Sequence, residues 1–225
     1  MNKVPPIEMP PGDFPRPVPE ILTGQFITLT PLDVAADAAG LYAVSHRDGD
    51  TKKLWLYLPW GPFPDIKSYA AFLQESQEQP DAIAFTVRDA ATRAYLGSIS
   101  LMFIRPGHGV AELGGIWYAP EAQRTKTNTE ACYLLLRYCF ERLGYRRMEW
   151  RCNTLNEPSA RAARRLGFTY EGTFRQHMIV KGENRDTAWF AILDHEWPLI
   201  GSAMHRWLYE DDSVPLGRLT RASTP

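Results

Sequence analysis

Cysteine is scarce in this 225-residue sequence: Cys132, Cys139 and Cys152 are the only three. That number is too small and too odd for a disulfide framework, and no Cys-x-x-Cys or Cys/His spacing suggests a zinc or other metal site. Cys132 and Cys139 lie two turns apart on one helix and Cys152 on the buried face of a strand, so they read as inert core thiols. Five histidines are scattered without an i, i+4 ligand pair. The Gly-x-Gly-x-x-Gly, Walker, Gly-x-Ser-x-Gly and His-Glu-x-x-His signatures are all missing. No apolar run approaches the roughly 18 residues of a membrane span. The opening stretch MNKVPPIEMPPGDFPRP lacks the apolar segment of a secretory leader. Neither charge dominates: 25 Lys and Arg face 26 Asp and Glu, which argues against direct nucleic-acid binding. These absences leave a reduced, metal-free, cytoplasmic globular protein.

What the sequence has is proline at its start and a change of period in its middle. Seven of the 18 prolines fall before residue 20, so residues 1–20 read as an extended arm. Such an arm either lies on the surface or clasps a second copy in a homodimer. The last seventeen residues, 209–225, show no sustained apolar period and read as loosely held, and residues 201–225 are set apart as a C-terminal tail. Residues 21–200 form one domain, without repeats or a flexible linker.

Strands are expected at 25–30, 83–88, 95–104 and 109–118, with helices at 35–45 and 65–77. Ala131, Leu134, Leu135, Tyr138 and Cys139 then fall on one helical stripe. Thr127-x-x-Glu130 reads as a capping box for that helix. A strand at 148–152, a helix from Asn156 to Leu166 and strands at 169–179 and 187–193 complete the pattern. The order predicts an α+β fold, an α/β sandwich around one mostly antiparallel sheet.

The chemically informative segment is the strand Glu112–Tyr118 followed by the polar loop Gln123–Glu130. A strand feeding a polar loop and then a helix makes an anion site from unpaired N–H groups and the positive end of the helix dipole. Arg124 and Lys126 add cations there. The alternative is an ordinary solvated helix start.

The loop resembles motif A of the GNAT superfamily of acetyl-CoA-dependent N-acetyltransferases, Gln/Arg-x-x-Gly-x-Gly/Ala. Gln123 fills the first position, while Lys126 and Asn128 stand where glycines are usual. Residues 153–168, with Asn156 and Arg164-Arg165-Leu166-Gly167-Phe168, resemble motif B, and 171–175 its continuation. Leu58-Pro59-Trp60-Gly61-Pro62-Phe63 and the Asn128-Thr129-Glu130-Ala131 helix start are similar to the RimJ/RimL branch, ribosomal-protein N-terminal acetyltransferases. The likeness spans about residues 21–195.

The resemblance implies a GNAT fold, splayed at the cofactor site, that binds acetyl-CoA and acetylates an amine. Main-chain groups of Ile116, Trp117 and Tyr118 would hold the pantetheine arm. The pyrophosphate would rest on the N–H groups of Arg124, Thr125, Lys126, Thr127, Asn128 and Thr129, with Gln123 also among the cofactor-binding residues. Lys126 and Asn128 can stand for glycine there only if their side chains turn away or bond the phosphate. Asn156 would bond the arm or serve as a plain N-cap. The family's usual tyrosine acid falls at Ala163, and Ser159 takes the position of a hydroxyl near the sulfur. Glu112 is the candidate base, or else a structural tether. Trp55, Tyr57, Trp60 and Phe63 lie where the family shapes its acceptor cleft, unless they plug the core. The amine is a protein N-terminus or a small molecule such as a polyamine, amino acid or antibiotic. A CoA-binding module without catalysis is the rival from another class.

Overall fold

The computed structural model describes residues 14–47 and 50–221. Alternating apolar residues build the first half of the sheet. Strands β1 (Leu22–Thr23) and β2 (Ile27–Pro31) form a hairpin that buries Ile27 and Leu29 completely. Helix α1 (Val34–Ser45) follows, its first turn capped by Asp33, and α2 (Ile66–Gln77) is capped in the same way by Asp65. Strands β3 (Ile83–Asp89), β4 (Tyr95–Arg105) and β5 (Val110–Tyr118) extend an antiparallel meander.

The chain then crosses over. Helix α3 (Thr127–Arg137), continued by a wider turn at Tyr138–Arg142, leads into β6 (Arg147–Asn153) beside and parallel to β5. Parallel pairing requires such a crossover. Helix α4 (Glu157–Arg165), the hairpin β7 (Thr169–Val180) and β8 (Glu183–Leu193), and helices α5 (Trp197–Tyr209) and α6 (Leu216–Arg221) complete the fold. The eight strands run β1-β2-β3-β4-β5-β6-β8-β7, antiparallel except at β5–β6. The expected α+β sandwich is what forms.

The parallel seam is short. β5 and β6 pair only from Val110–Arg147 to Glu112–Glu149, and beyond Leu113 they part. The cause sits on the other edge of β5, where Ser98 pairs with Trp117 and Ser100 with Gly114, leaving one extra residue in β5. Gly115 absorbs this bulge at φ 61°, a left-handed conformation that other residues rarely adopt. The bulge re-aims the strand and opens a gap between β5 and β6.

One face of the sheet carries the main core, including Leu113, Leu135, Trp150 and Phe190, beneath α3 to α6. The other carries a smaller core of Leu41, Trp55, Tyr69, Leu73 and Trp117 beneath α1 and α2. The expected tail from residue 201 is corrected here. Gly201, Met204 and Leu208 continue the buried stripe that begins at Trp197 and Ile200, and Leu216 joins the same core. Residues 14–20 lie along the body: the Phe14 N–H donates to the Pro106 carbonyl (3.2 Å), and that of Val18 to the Tyr138 hydroxyl (2.9 Å). The prolines before Phe14 lie outside the described residues. Among the described residues no helix is long and apolar enough to cross a membrane, and no cluster of three metal-ligating side chains occurs.

Candidate active site

The start of α3 is open where a helix start is usually closed. Lys126 occupies the capping position without a side-chain bond to the helix. The Thr127 N–H donates to Thr125 Oγ1 (3.2 Å), whose hydroxyl donates in turn to the Ala122 carbonyl (2.7 Å). The N–H groups of Asn128 and Thr129 meet no acceptor among the described residues. Arg124, exposed and at φ 61°, turns the loop ahead of them. Unpaired donors at a dipole's positive end fit a diphosphate, and the unpaired edge of β5 beyond Leu113 fits an amide-bearing arm. The residues present therefore suit acetyl-CoA.

Two expectations for this loop are corrected, the capping box and the Lys126 cation. Thr127 and Glu130 form no capping box. Glu130 is wholly buried and accepts the N–H groups of Gln25, Phe26 and Ile27 at 2.8, 2.8 and 2.7 Å, which ties α3 to the β1–β2 turn. A Cβ at Gly24 would stand 2.3 Å from that carboxyl group, so only glycine fits there. The Lys126 side chain is not in the cradle. It donates to the Leu208 carbonyl (3.0 Å), pairs with Asp212 (3.1 Å) and lies over the Phe26 and Trp207 rings. Gln123 spends its amide on the Tyr118 carbonyl (3.0 Å). Asn128 Oδ1 accepts from Cys132 Sγ (3.6 Å), along the helix and away from the loop. The two missing glycines thus leave the backbone surface clear.

A cleft of about 340 Å³ occupies the gap between β5 and β6. At the α4 end it is lined by Asn156 and Ser159. Asn156 Oδ1 accepts the Ser159 N–H (3.2 Å), Ser159 Oγ accepts Trp150 Nε1–H (3.0 Å), and the Ser159 hydroxyl meets the Cys152 thiol. Burial pushes the neighbouring Cys152 thiol up, and Cys132 up to about 12, which keeps both as thiols.

On the opposite sheet face the cleft meets Glu112, Arg151, Arg185 and His177. Glu112 is buried and accepts from Arg151 Nε. Burial pushes its carboxyl up to about 7, against the pull of Arg151 and the weaker pull of Arg185. Tyr57, Trp60 and Met178 line the outer part.

The cleft thus gathers Glu112, Ile116, Asn156, Ser159, Tyr57 and Trp60. Trp55 and Phe63 are corrected: they do not line it. Trp55 is buried against Tyr69 and Trp117, donates Nε1–H to the Ser45 carbonyl (3.3 Å) and meets Phe63 edge-on. Trp117 and Tyr118 bury their rings in the two cores, leaving only their main chain to a ligand. Arg151, Arg185 and His177 escape the sequence reading. Period-two spacing could have found Arg185, two residues before Thr187 and on the same strand face, had β8 been extended backward.

A sheet parted between two parallel strands, with an uncapped helix start at one end of the gap, is the framework of the GNAT acetyltransferase fold. The chain matches the acetyltransferase (GNAT) domain over residues 27–169 and belongs to that family. It superposes on the crystal structure of a GCN5-related N-acetyltransferase from Brucella melitensis with a TM-score of 0.88 and 38% identity, covering 93% of this chain and 97% of that one. It is 34% identical over 101 residues to the Bacillus subtilis protein named "Putative ribosomal N-acetyltransferase YdaF", covering 45% of this chain and 55% of that protein. The N-acetyltransferase YoaA of the same organism is 30% identical over 57% of this chain and 70% of its own length.

Proposed function

We propose that this acetyltransferase moves the acetyl group of acetyl-CoA to a primary amine by direct attack within a ternary complex. The supporting observation is the cleft itself: it connects Asn156 and Ser159 on one sheet face with a buried carboxylate, Glu112, on the other. Acetyl-CoA supplies an activated thioester as the donor substrate. The N–H groups of Asn128 and Thr129 and the Arg124 guanidinium hold its diphosphate, the β5 edge at Ile116–Tyr118 its arm, and Asn156 the arm's far end.

An amine must be neutral to attack. Glu112, pushed up to about 7, is matched to taking a proton from an ammonium near neutral pH. Ser159 has a hydroxyl proton to offer the departing sulfur. No thiol in reach is ionised, which favours direct transfer over a covalent acetyl-enzyme. The aromatic rim of Tyr57 and Trp60 suits a peptide N-terminus, in keeping with the name that YdaF carries.

Calorimetry with acetyl-CoA, followed by thiol release with a panel of amines, tests this reading. Binding and turnover are expected, with an acidic limb in kcat/KM near pH 7. Glu112→Gln should lower kcat by about 10²-fold and flatten that limb. An unchanged limb retires Glu112, a trapped acetyl-enzyme overturns direct attack, and binding without turnover of any amine leaves a CoA-binding module.

A further inference from the structure

We propose that Arg185 receives a carboxylate of the acceptor, so that the amine taken by this enzyme carries an acidic group near the reacting nitrogen. The inference rests on the acetyl-transfer reading and names the substrate class of that site.

Arg185 and Thr187 project from β8 to the same sheet face as Arg151 on β6 and Glu112 on β5, opposite the main core. All four border the cleft. Glu112, the carboxylate whose charge acts on Arg185, is already engaged, as are Glu149 and Asp186. Glu112 accepts from Arg151, while Glu149 accepts from Arg105 and Arg147, both at 2.8 Å. Asp186, its chain neighbour, accepts the Gln176 N–H (2.7 Å) and the Asn184 amide (2.9 Å). Among the described residues the Arg185 guanidinium makes no hydrogen bond or ion pair, and its Nε is buried without a partner.

A guanidinium partly withdrawn from water, beside a second guanidinium and without an acceptor, is costly to hold. Burial first, then the Arg151 charge, press its pKa down. A ligand oxygen pair that meets the planar fork removes that cost and adds two charge-assisted bonds. The charge count favours a monoanion: with Glu112 ionised, Arg151 and Arg185 leave one positive charge unmatched. Arg151 cannot easily serve instead, because it is stacked over Phe103 and Trp189 and bound to Glu112. His177, held by Nδ1 to Thr187 Oγ1 (3.0 Å), stands beside the same place. The diphosphate of the donor is not the occupant, since its cradle lies at the start of α3 on the other sheet face.

The carboxylate can belong to a free amino acid or to the first side chain of a peptide. Two matched pairs separate these sources: alanine against alaninamide, and peptides that begin with Asp against those that begin with Asn. At least one pair should show kcat/KM about tenfold or more in favour of the acid, and that pair identifies the source. Arg185→Gln should bring the ratio close to one, and Arg185→Lys should keep part of it. Ratios near one in the native enzyme, or a ratio untouched by Arg185→Gln, overturn the proposal.

Failure of the acetyl-transfer reading is distinguishable from failure of this one. If no amine turns over, the N-acetylated acid and its amide are titrated calorimetrically into the CoA-saturated protein, a measurement that needs no chemistry. Tighter binding of the acid, lost in Arg185→Gln, supports the site; equal binding sinks it. Circular dichroism checks that the variant folds, and Arg185→Lys carries the test if it does not.

Discussion

Glu112 and Glu130 are both buried, and their surroundings give them opposite characters. Glu130, where α3 meets the β1–β2 turn, accepts three backbone N–H groups within 2.8 Å. The Tyr209 hydroxyl lies against it, its pKa raised by burial and then by the Glu130 carboxylate. Glu112, where β5 leaves β6, has one guanidinium partner and faces a cavity. Burial is nearly the same for both, so it cannot be what separates a tether from a candidate base. The number of donors already spoken for separates them. A carboxylate saturated by fixed amides has nothing to exchange, whereas one with an oxygen left over beside a cleft can take a proton.

The largest effect should come from breaking the saturated one. Glu130→Ala leaves three backbone donors unpaired in the core, each worth about 1–3 kcal/mol when orphaned. Because local relaxation prevents full addition, a loss of about 3–5 kcal/mol is expected in urea unfolding at pH 7. A loss below about 1 kcal/mol would mean that the β1–β2 turn finds other acceptors, and the tether role would fall.

Glu112 should show its difference in pH dependence. Its folded pKa of about 7 lies above the ordinary glutamate range. The folded state therefore binds the proton more tightly than the unfolded chain does. Its contribution is fully present below about pH 4 and is lost as pH rises through about 7. The stability of the native protein relative to Glu112→Gln should fall by about 2–3 kcal/mol between pH 4 and pH 8, read from denaturation midpoints. A constant difference would place Glu112 in an ordinary ion pair with Arg151, and the contrast with Glu130 would disappear.

Most of the framework was legible because its signals are local. Alternation along 83–88, 95–104 and 109–118, and the stripe of Ala131, Leu134 and Leu135, depend on neighbours a few residues apart. The misreadings share the opposite property. Thr127-x-x-Glu130 has the form of a capping box, but the partners that claim Glu130 lie 103 to 105 residues away. Lys126 looked like a phosphate ligand until the end of α5, 82 residues on, proved to hold it. Within the site, Glu112, Asn156 and Ser159 could be picked out from motif order. Arg151 and Arg185 were not, because only the pairing of β6 with β8 sets them beside Glu112, and period-two spacing would have given Arg185's face but not that neighbour. Trp55 and Phe63 misled because a core aromatic and a cleft aromatic look alike in one dimension.

The same contrast between an engaged and an unengaged side chain applies within the α3 loop, where it yields the smallest effect. Arg124 is exposed, and among the described residues no bond or ion pair holds its guanidinium; Lys126, two residues on, is committed to α5. Arg124→Ala should weaken acetyl-CoA binding by about fivefold, more at low salt than at high salt, because it removes a cation free to meet the diphosphate. Lys126→Met should leave that dissociation constant within about twofold. It instead removes a cation from the C-terminal end of α5 and a half-exposed ion pair, at a cost of about 0.5–1 kcal/mol. For a chain of this size that is a fall in Tm of about 1–4 °C. Equal weakening of acetyl-CoA binding by both variants would show that Lys126 leaves Leu208 and Asp212 when the donor arrives. The cradle would then draw its charge from two side chains, and the clear backbone surface would no longer account for a loop without its glycines.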